Sequence, residues 1–344
     1  MISIADSRPN YIDYAKVFAI FCVVLGHYTY ALDFFYEPSQ IWNVMHIITL
    51  FHMPFFFIVS GLLYKKIGTK DTISKGWIQL LKPYLIMSVL VSVIMIMVML
   101  LMDGVNLRYI VKVAIGIFTA NDFPFGIASW SISLWFCYSL FLVRLLYAYL
   151  SERRWGGQFI ILTCLIGVVM MFLGNKLPMR LDSSLVGFIF FTIGVKGSEV
   201  LKSVIDYSLK KKLFFLLLAL LVLYVSAYLN LNLQQRQGLS INVMYFGKYP
   251  LLFLISGFSG TMVILLISTF FSGFKNKVVL TISNGTIVIL GFHWLVYKLL
   301  FSWWFSSYKV LSAIFVSVLV TFVCYTLIIL SNKFFPALLG NRRI

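Results

Sequence analysis

The amino-acid sequence predicts an all-α fold: a polytopic bundle embedded in a membrane, with about ten spans of roughly twenty residues each. Three observations carry this. Hydrophobic residues fill 61% of the 344 positions and charged residues 11%, and the mean hydropathy is +0.96, outside the range of a water-soluble domain. The apolar residues gather in runs long enough to cross a hydrocarbon core about 30 Å thick, and the polar interruptions of about twenty residues are too short for a separate soluble domain, so 1–344 reads as one unit. Lysines and arginines fall in those interruptions, which makes the formal net charge of +17 a sign of membrane topology rather than of a nucleic-acid surface.

The first span, 13–32, follows the stretch RPNYIDYAKVFAIFCVVLGH. Asp13, Lys16, Ile20, Val23 and His27 recur at three- and four-residue spacing and share one helix face. The rise from Asp13 to His27 is about 21 Å, which takes the histidine past the middle of the core. No small-residue cleavage site follows, so this span is expected to stay in the mature chain. An imidazole at that depth is either packing glue, hydrogen-bonded to a neighbouring helix, or part of a site. Two more histidines in apolar segments, His52 in LFHMPFFFIVSG and His293 in VILGFHWLVY, favour chemistry.

The second span, 44–64, carries His52 and then Pro54, which is expected to bend the helix and open a cavity. Ser60 and Gly61 allow another backbone to come close. After the third span, 83–102, the less apolar segment 103–133 is expected to hold an amphipathic or re-entrant piece that covers a chamber. Spans 131–150 and 158–174 follow. Arg180 and Asp182 precede the sixth, 184–200, and form either an interfacial ion pair or part of a substrate site. Spans 213–230 and 249–272 flank a loop rich in amides and hydroxyls, which suits sugar hydroxyls but is equally ordinary for an exposed loop. The ninth span, 279–300, carries His293, with Ser283 and Asn284 expected to cap its start. The tenth is 309–331.

With the N-terminus inside, the inner segments hold Arg8, the lysines of 65–82, Arg153 and Arg154, Lys196 to Lys212, Lys275 and Lys277, and Lys333 to Arg343. This excess places both termini in the cytoplasm and lets His27, His52 and His293 share one chamber. The four cysteines are isolated in apolar runs without metal-ligand spacing, and no phosphate loop or nucleophile elbow is present, so neither a metal nor Walker-type ATP use is expected.

Arg8, Asp13 and Lys16 ahead of VVLGH, then FHMPFFFIVSGLLY, LLKPY, SLWF, LDSSLVGFIFFTIGV and ISNGTIVILGFHWLVY form an ordered series from about residue 8 to about residue 300. This series resembles the acyltransferase-3 family, and within it the branch of fucose O-acetylases and other surface-polysaccharide O-acyltransferases. The resemblance implies an enzyme of the bacterial inner membrane that moves an acyl group, acetyl foremost, from cytoplasmic acyl-CoA (acetyl-CoA) to a hydroxyl of a cell-surface or lipid-linked glycan. It maps His27 onto the histidine held to be essential, Arg8 and Asp13 onto the arginine and aspartate before it, and His52 onto the histidine of HMPFFF.

Acyl transfer needs a base, an oxyanion donor and exclusion of water. His27 is the expected base, and His52 is expected to bind the oxyanion or orient His27. Arg8 and the lysines of 65–82 are expected to hold CoA phosphates. Asp13 either pairs with Lys16 or Arg8 to order the donor site or simply neutralises them. On the acceptor side stand Asp182, His293 and Trp130; His293 is equally placed for core hydrogen bonding. Trp135 and Trp294 can stack on sugar rings, and Trp303 and Trp304 suit an interfacial belt. Two rival readings share the composition: a flippase for a lipid-linked glycan, against which the lack of an internal repeat counts, and a non-enzymatic subunit of exopolysaccharide assembly.

Overall fold

The computed structural model describes residues 10–28, 40–102, 104–120, 132–230, 239–274, 276–301 and 310–340. Arg8, Trp130, Trp303 and Trp304 lie outside the described residues. Among the described residues the chain is helical, with one isolated antiparallel bridge between Ser240 and Tyr245 and no strand. The helices are α1 (Asn10–Gly26), α2 (Gln40–Leu62), α3 (Thr69–Gly76), α4 (Lys82–Met102), α5 (Leu107–Thr119), α6 (Trp135–Ser151), α7 (Gly156–Leu173), α8 (Leu181–Lys196), α9 (Ser198–Ser203), α10 (Leu209–Asn230), α11 (Pro250–Thr269), α12 (Lys277–Asn284), α13 (Thr286–Val296) and α14 (Val310–Phe334). A π-turn over Trp77–Leu81 joins α3 to α4 in one helical rod.

Among the described residues seven helical segments are long and apolar enough to cross a membrane, and the bent pair α12–α13 makes an eighth. The two other expected spans coincide with α1 and α6, each of 17 residues and about 25 Å long. The ninth span departs from expectation. It is not one helix over 279–300: α12 and the helix from Thr286 meet at Gly285 with an 80° bend. Ser283 and Asn284 therefore end a short helix rather than cap a long one, and Asn276 does the capping, accepting from the Val278 amide at 2.8 Å.

Helix α1 runs through the middle of the bundle against α2, α11, α12, α13 and α14, and it buries Tyr11, Ile12, Ala15, Ala19, Ile20, Val23 and Val24. α2 is inserted between α8 and α11. It continues unbroken through Pro54, whose ring packs over Gly257 instead of opening a gap. The expected close approach at Gly61 is present. A Cβ on Gly61 would stand 2.1 Å from the Phe191 carbonyl oxygen, and one on Gly194 would stand 2.0 Å from that of Ile58, so α2 and α8 cross in backbone contact. Along α4, α7, α10 and α14 most apolar side chains face outward, as lipid-facing helices require. α5 is the amphipathic piece expected between the third and fourth spans, with Leu107, Val111 and Phe118 exposed beside Arg108.

Candidate active site

Three of the four histidines converge. His27 ends α1, His52 sits in the C-terminal half of α2 and His293 lies on α13, and the His27 ring centroid is 5.0 Å from His293 and 6.3 Å from His52. His293 Nε2 lies 3.0 Å from His27 Nδ1. His293 and His52 are buried, and His27 retains partial exposure. Among the described residues no three His, Cys, Asp or Glu side chains come together as metal ligands, the histidines included.

Local backbone chemistry assigns the tautomers. His293 Nδ1 is 2.7 Å from the Ile289 carbonyl oxygen and His52 Nδ1 is 2.9 Å from that of Ile48, in each case one helical turn back. A carbonyl only accepts, so each Nδ1 carries the proton and each Nε2 keeps its lone pair while the ring is neutral. With His293 Nε2 accepting, the proton of His27 lies on Nδ1 and points at it. The lone pair of His27 is left on Nε2. This is the arrangement of a general base whose far nitrogen is held by a second group.

Two neighbours complete the cluster. Trp294 packs edge-on to His27 with centroids 6.1 Å apart, and its Nε1–H, shielded from solvent, has no hydrogen-bond partner among the described residues. Ser133, in the short turn before α6, places its hydroxyl 3.4 Å from His293 Nε2. Sequence alone did not single out Ser133, which falls where the segment 103–133 meets the span 131–150.

Asp13 and Lys16 sit about 20 Å away at the other end of α1, in a buried network. Ser283 Oγ donates to Asp13 Oδ1 at 2.6 Å and accepts from Lys16 Nζ at 2.9 Å, and Lys16 also donates to the Ser283 carbonyl oxygen. Ser283 thus bridges the two charges and ties α1 to the helix that ends at the Gly285 bend. The spacing of α1 put Asp13 and Lys16 on one face, but a partner 270 residues away is not readable from local sequence.

Asp182 is fully buried at the start of α8. Its carboxylate accepts from the Ser183 amide at 2.6 Å, the Ser183 hydroxyl at 3.1 Å and the Leu177 amide at 3.2 Å, which fixes the turn into the helix. Arg180 turns elsewhere: it donates to the carbonyl oxygens of Ala120 and Asn242 and lies over the Trp135 ring. It staples the end of α5 and the 239–249 loop over the start of α6, two residues from Ser133. Asn230 secures the same loop from below, donating to the Phe246 carbonyl and accepting from the Tyr249 amide, both at 2.7 Å.

A family model described as an acyltransferase domain matches residues 10–330. No curated protein and no solved structure matches the chain. The match takes in nearly every helix described above together with all three histidines, and the chain belongs to the acyltransferase-3 family.

Proposed function

We propose that this membrane acyltransferase moves an acyl group, acetyl foremost, from cytoplasmic acyl-CoA to a hydroxyl of a cell-surface or lipid-linked glycan, as O-acetyltransferases of the fucose O-acetylase-like branch do, with His27 as general base. One observation carries the reading: of the three clustered histidines only His27 is a partly exposed residue, and its Nδ1 is bound to a second imidazole, which leaves Nε2 for the incoming hydroxyl. In the transfer step the acceptor O–H bond breaks and its proton passes to His27 Nε2. The oxygen forms the new C–O bond at the thioester carbonyl, the C–S bond breaks, and the proton returns to the departing sulfur. His293 Nε2 shares the charge that develops on His27.

The tetrahedral oxyanion needs an N–H or O–H donor. Neutral His52 has committed its one N–H to Ile48 and can only accept at Nε2, so it cannot be that donor. The Nε1–H of Trp294, beside His27 and unpartnered, is the better donor to the oxyanion. Acyl-CoA enters in this scheme from the cytoplasmic end of the bundle, where Asp13 and Lys16 stand, and the Asp13–Ser283–Lys16 network sets the geometry of that entrance rather than meeting the donor itself. Asp182 and Arg180 shape the outer, acceptor-facing cover.

The test compares surface glycan from cells lacking the protein, cells complemented with wild type and cells complemented with His27→Gln. Mass spectrometry is expected to show an added acyl mass with wild type, and the variant is expected to lose about 10²- to 10⁴-fold in rate, the range that general-base catalysis contributes, with expression and acyl-CoA binding retained. Wild-type acylation in His27→Gln cells would refute the assignment.

A further inference from the structure

A second polar recess lies about 18 Å from His52, measured along α2 to Tyr64 just beyond its end. It has a volume of about 420 Å³ and is bounded by Tyr64, Tyr147, Ser151, Gly156, Gly157, Ile160 and Val195, with the cationic side chains of Lys66, Arg153, Arg154 and Lys196 around it. A fifth cation stands behind the wall. Arg144 is the one charged residue of α6, shares a helix face with Tyr147 and Ser151 at three- and seven-residue spacing, and lies close enough to the Tyr64 hydroxyl for their charges to couple. An acid beside this group, Glu152, lies within electrostatic reach of Arg153 and Lys66 but is hydrogen-bonded to Thr69. Its two oxygens accept from the Thr69 hydroxyl at 2.6 Å and the Thr69 amide at 2.9 Å, and this hydroxyl bond, with the amide bond second, holds its carboxyl below the usual carboxylate range.

Loop lysines and arginines at the cytoplasmic face need no ligand to explain them. Convergence of four on one concave recess, with a half-buried arginine in the adjoining span, is a different matter, because like charges gathered there repel unless an anion joins them. The 18-residue helix α7 also starts at this recess, at Gly156, with no side chain capping it, and so adds a positive dipole end, although the Gly156 amide itself donates to the Arg153 carbonyl at 3.0 Å. A Cβ on Gly157 would meet nothing within 4 Å, so the approach to that helix end is open.

We propose that this recess is a phosphate-binding site, separate from the histidine cluster. Phosphate reaches such a place as a lipid headgroup or as the phosphate end of a nucleotide. Two features favour the lipid. α7 carries an exposed apolar face of Phe159, Leu162 and Ile166 running away from the recess, along which acyl chains can lie. The α2–α8 seam bordering it is closed at Gly61 and Gly194, leaving no space there for a ligand arm to pass toward His52.

The experiment uses the purified full chain with two probes: 3′,5′-adenosine diphosphate by titration, and phosphatidylglycerol in phosphatidylcholine nanodiscs by native mass spectrometry of co-purified lipid. The variants are Arg153→Gln/Arg154→Gln and, in case that pair impairs folding, Lys66→Gln and Lys196→Gln singly, each checked by thermal melting. Binding of one probe is expected to weaken by about tenfold or more for each charge-assisted contact removed. Loss of phosphatidylglycerol retention identifies a lipid headgroup, and loss of nucleotide affinity identifies a nucleotide phosphate. Unchanged binding of both probes in folded variants overturns the site.

Discussion

His293 acts on His27 through Nε2, and the Ile289 carbonyl holds its other nitrogen. Removing the ring leaves His27 free to place its proton on either nitrogen, so part of the population presents an N–H where the acceptor hydroxyl needs a lone pair. His293→Ala is expected to lower kcat by about 10²-fold, the low end of a general-base contribution, while KM for acyl-CoA stays near the wild-type value. His293→Gln restores an acceptor oxygen for His27 Nδ1–H and is expected to recover part of the rate. Equal rates in the two variants would count against a role in holding His27. Sequence alone singled out these histidines because apolar runs have no other use for an imidazole. It did not show that His293 rather than His52 holds His27, since their relative reach is set by how α1, α2 and α13 pack. Arg144 was readable by the same logic as the histidines, as a lone charge in the span 131–150, and was passed over there.

At the level of elements, the crossing of α2 and α8 sets how deep His52 lies. Gly61 and Gly194 face each other's helix backbones at distances no side chain tolerates, so the crossing depends on both lacking a Cβ. Gly194→Val must push the helices apart or distort them, and a destabilisation of about 1–3 kcal/mol or more is expected, the usual cost of overpacking. Thermal melting of the purified protein measures it, with Gly273→Ala as the control because nothing lies within 4 Å of that position. An unchanged melting point in Gly194→Val would mean that the two helices do not meet there. The small residues of α2 were visible in the sequence, and so was their consequence. The break in the ninth span was not anticipated, although Asn284–Gly285 is a turn-forming pair within an apolar run. Hydropathy windows average over such a pair, and the bend survives in the membrane because Ser283 joins Asp13 and Lys16 beside it.

Over the whole molecule, the number of crossings depends on the two 17-residue helices that fall short of the usual spanning length. Contacts at their ends decide the matter for each. α1 joins Ser283 through Asp13 and Lys16 at one end and His293 at the other, next to Ser133. α6 begins just after Ser133 and ends at Ser151, beside Lys66, Arg153, Arg154 and Lys196, with Glu152 bonded to Thr69. Each therefore runs from the histidine level to the basic end of the bundle. A length of about 25 Å falls a little short of a 30 Å core, a mismatch that local thinning of the bilayer and polar helix ends absorb at modest cost. Together with the seven long spans and the bent pair among the described residues, this reading predicts an even number of crossings, ten, with both termini on the cytoplasmic side. Reporter fusions after Lys212 and after Arg343 are expected to behave as cytoplasmic and a fusion after Gln237 as external. If α1 or α6 alone failed to cross, the count would be odd and the two termini would face opposite sides, so an external signal after Arg343 with a cytoplasmic N-terminal tag would exclude this arrangement and, with it, the entry of donor and acceptor from opposite faces.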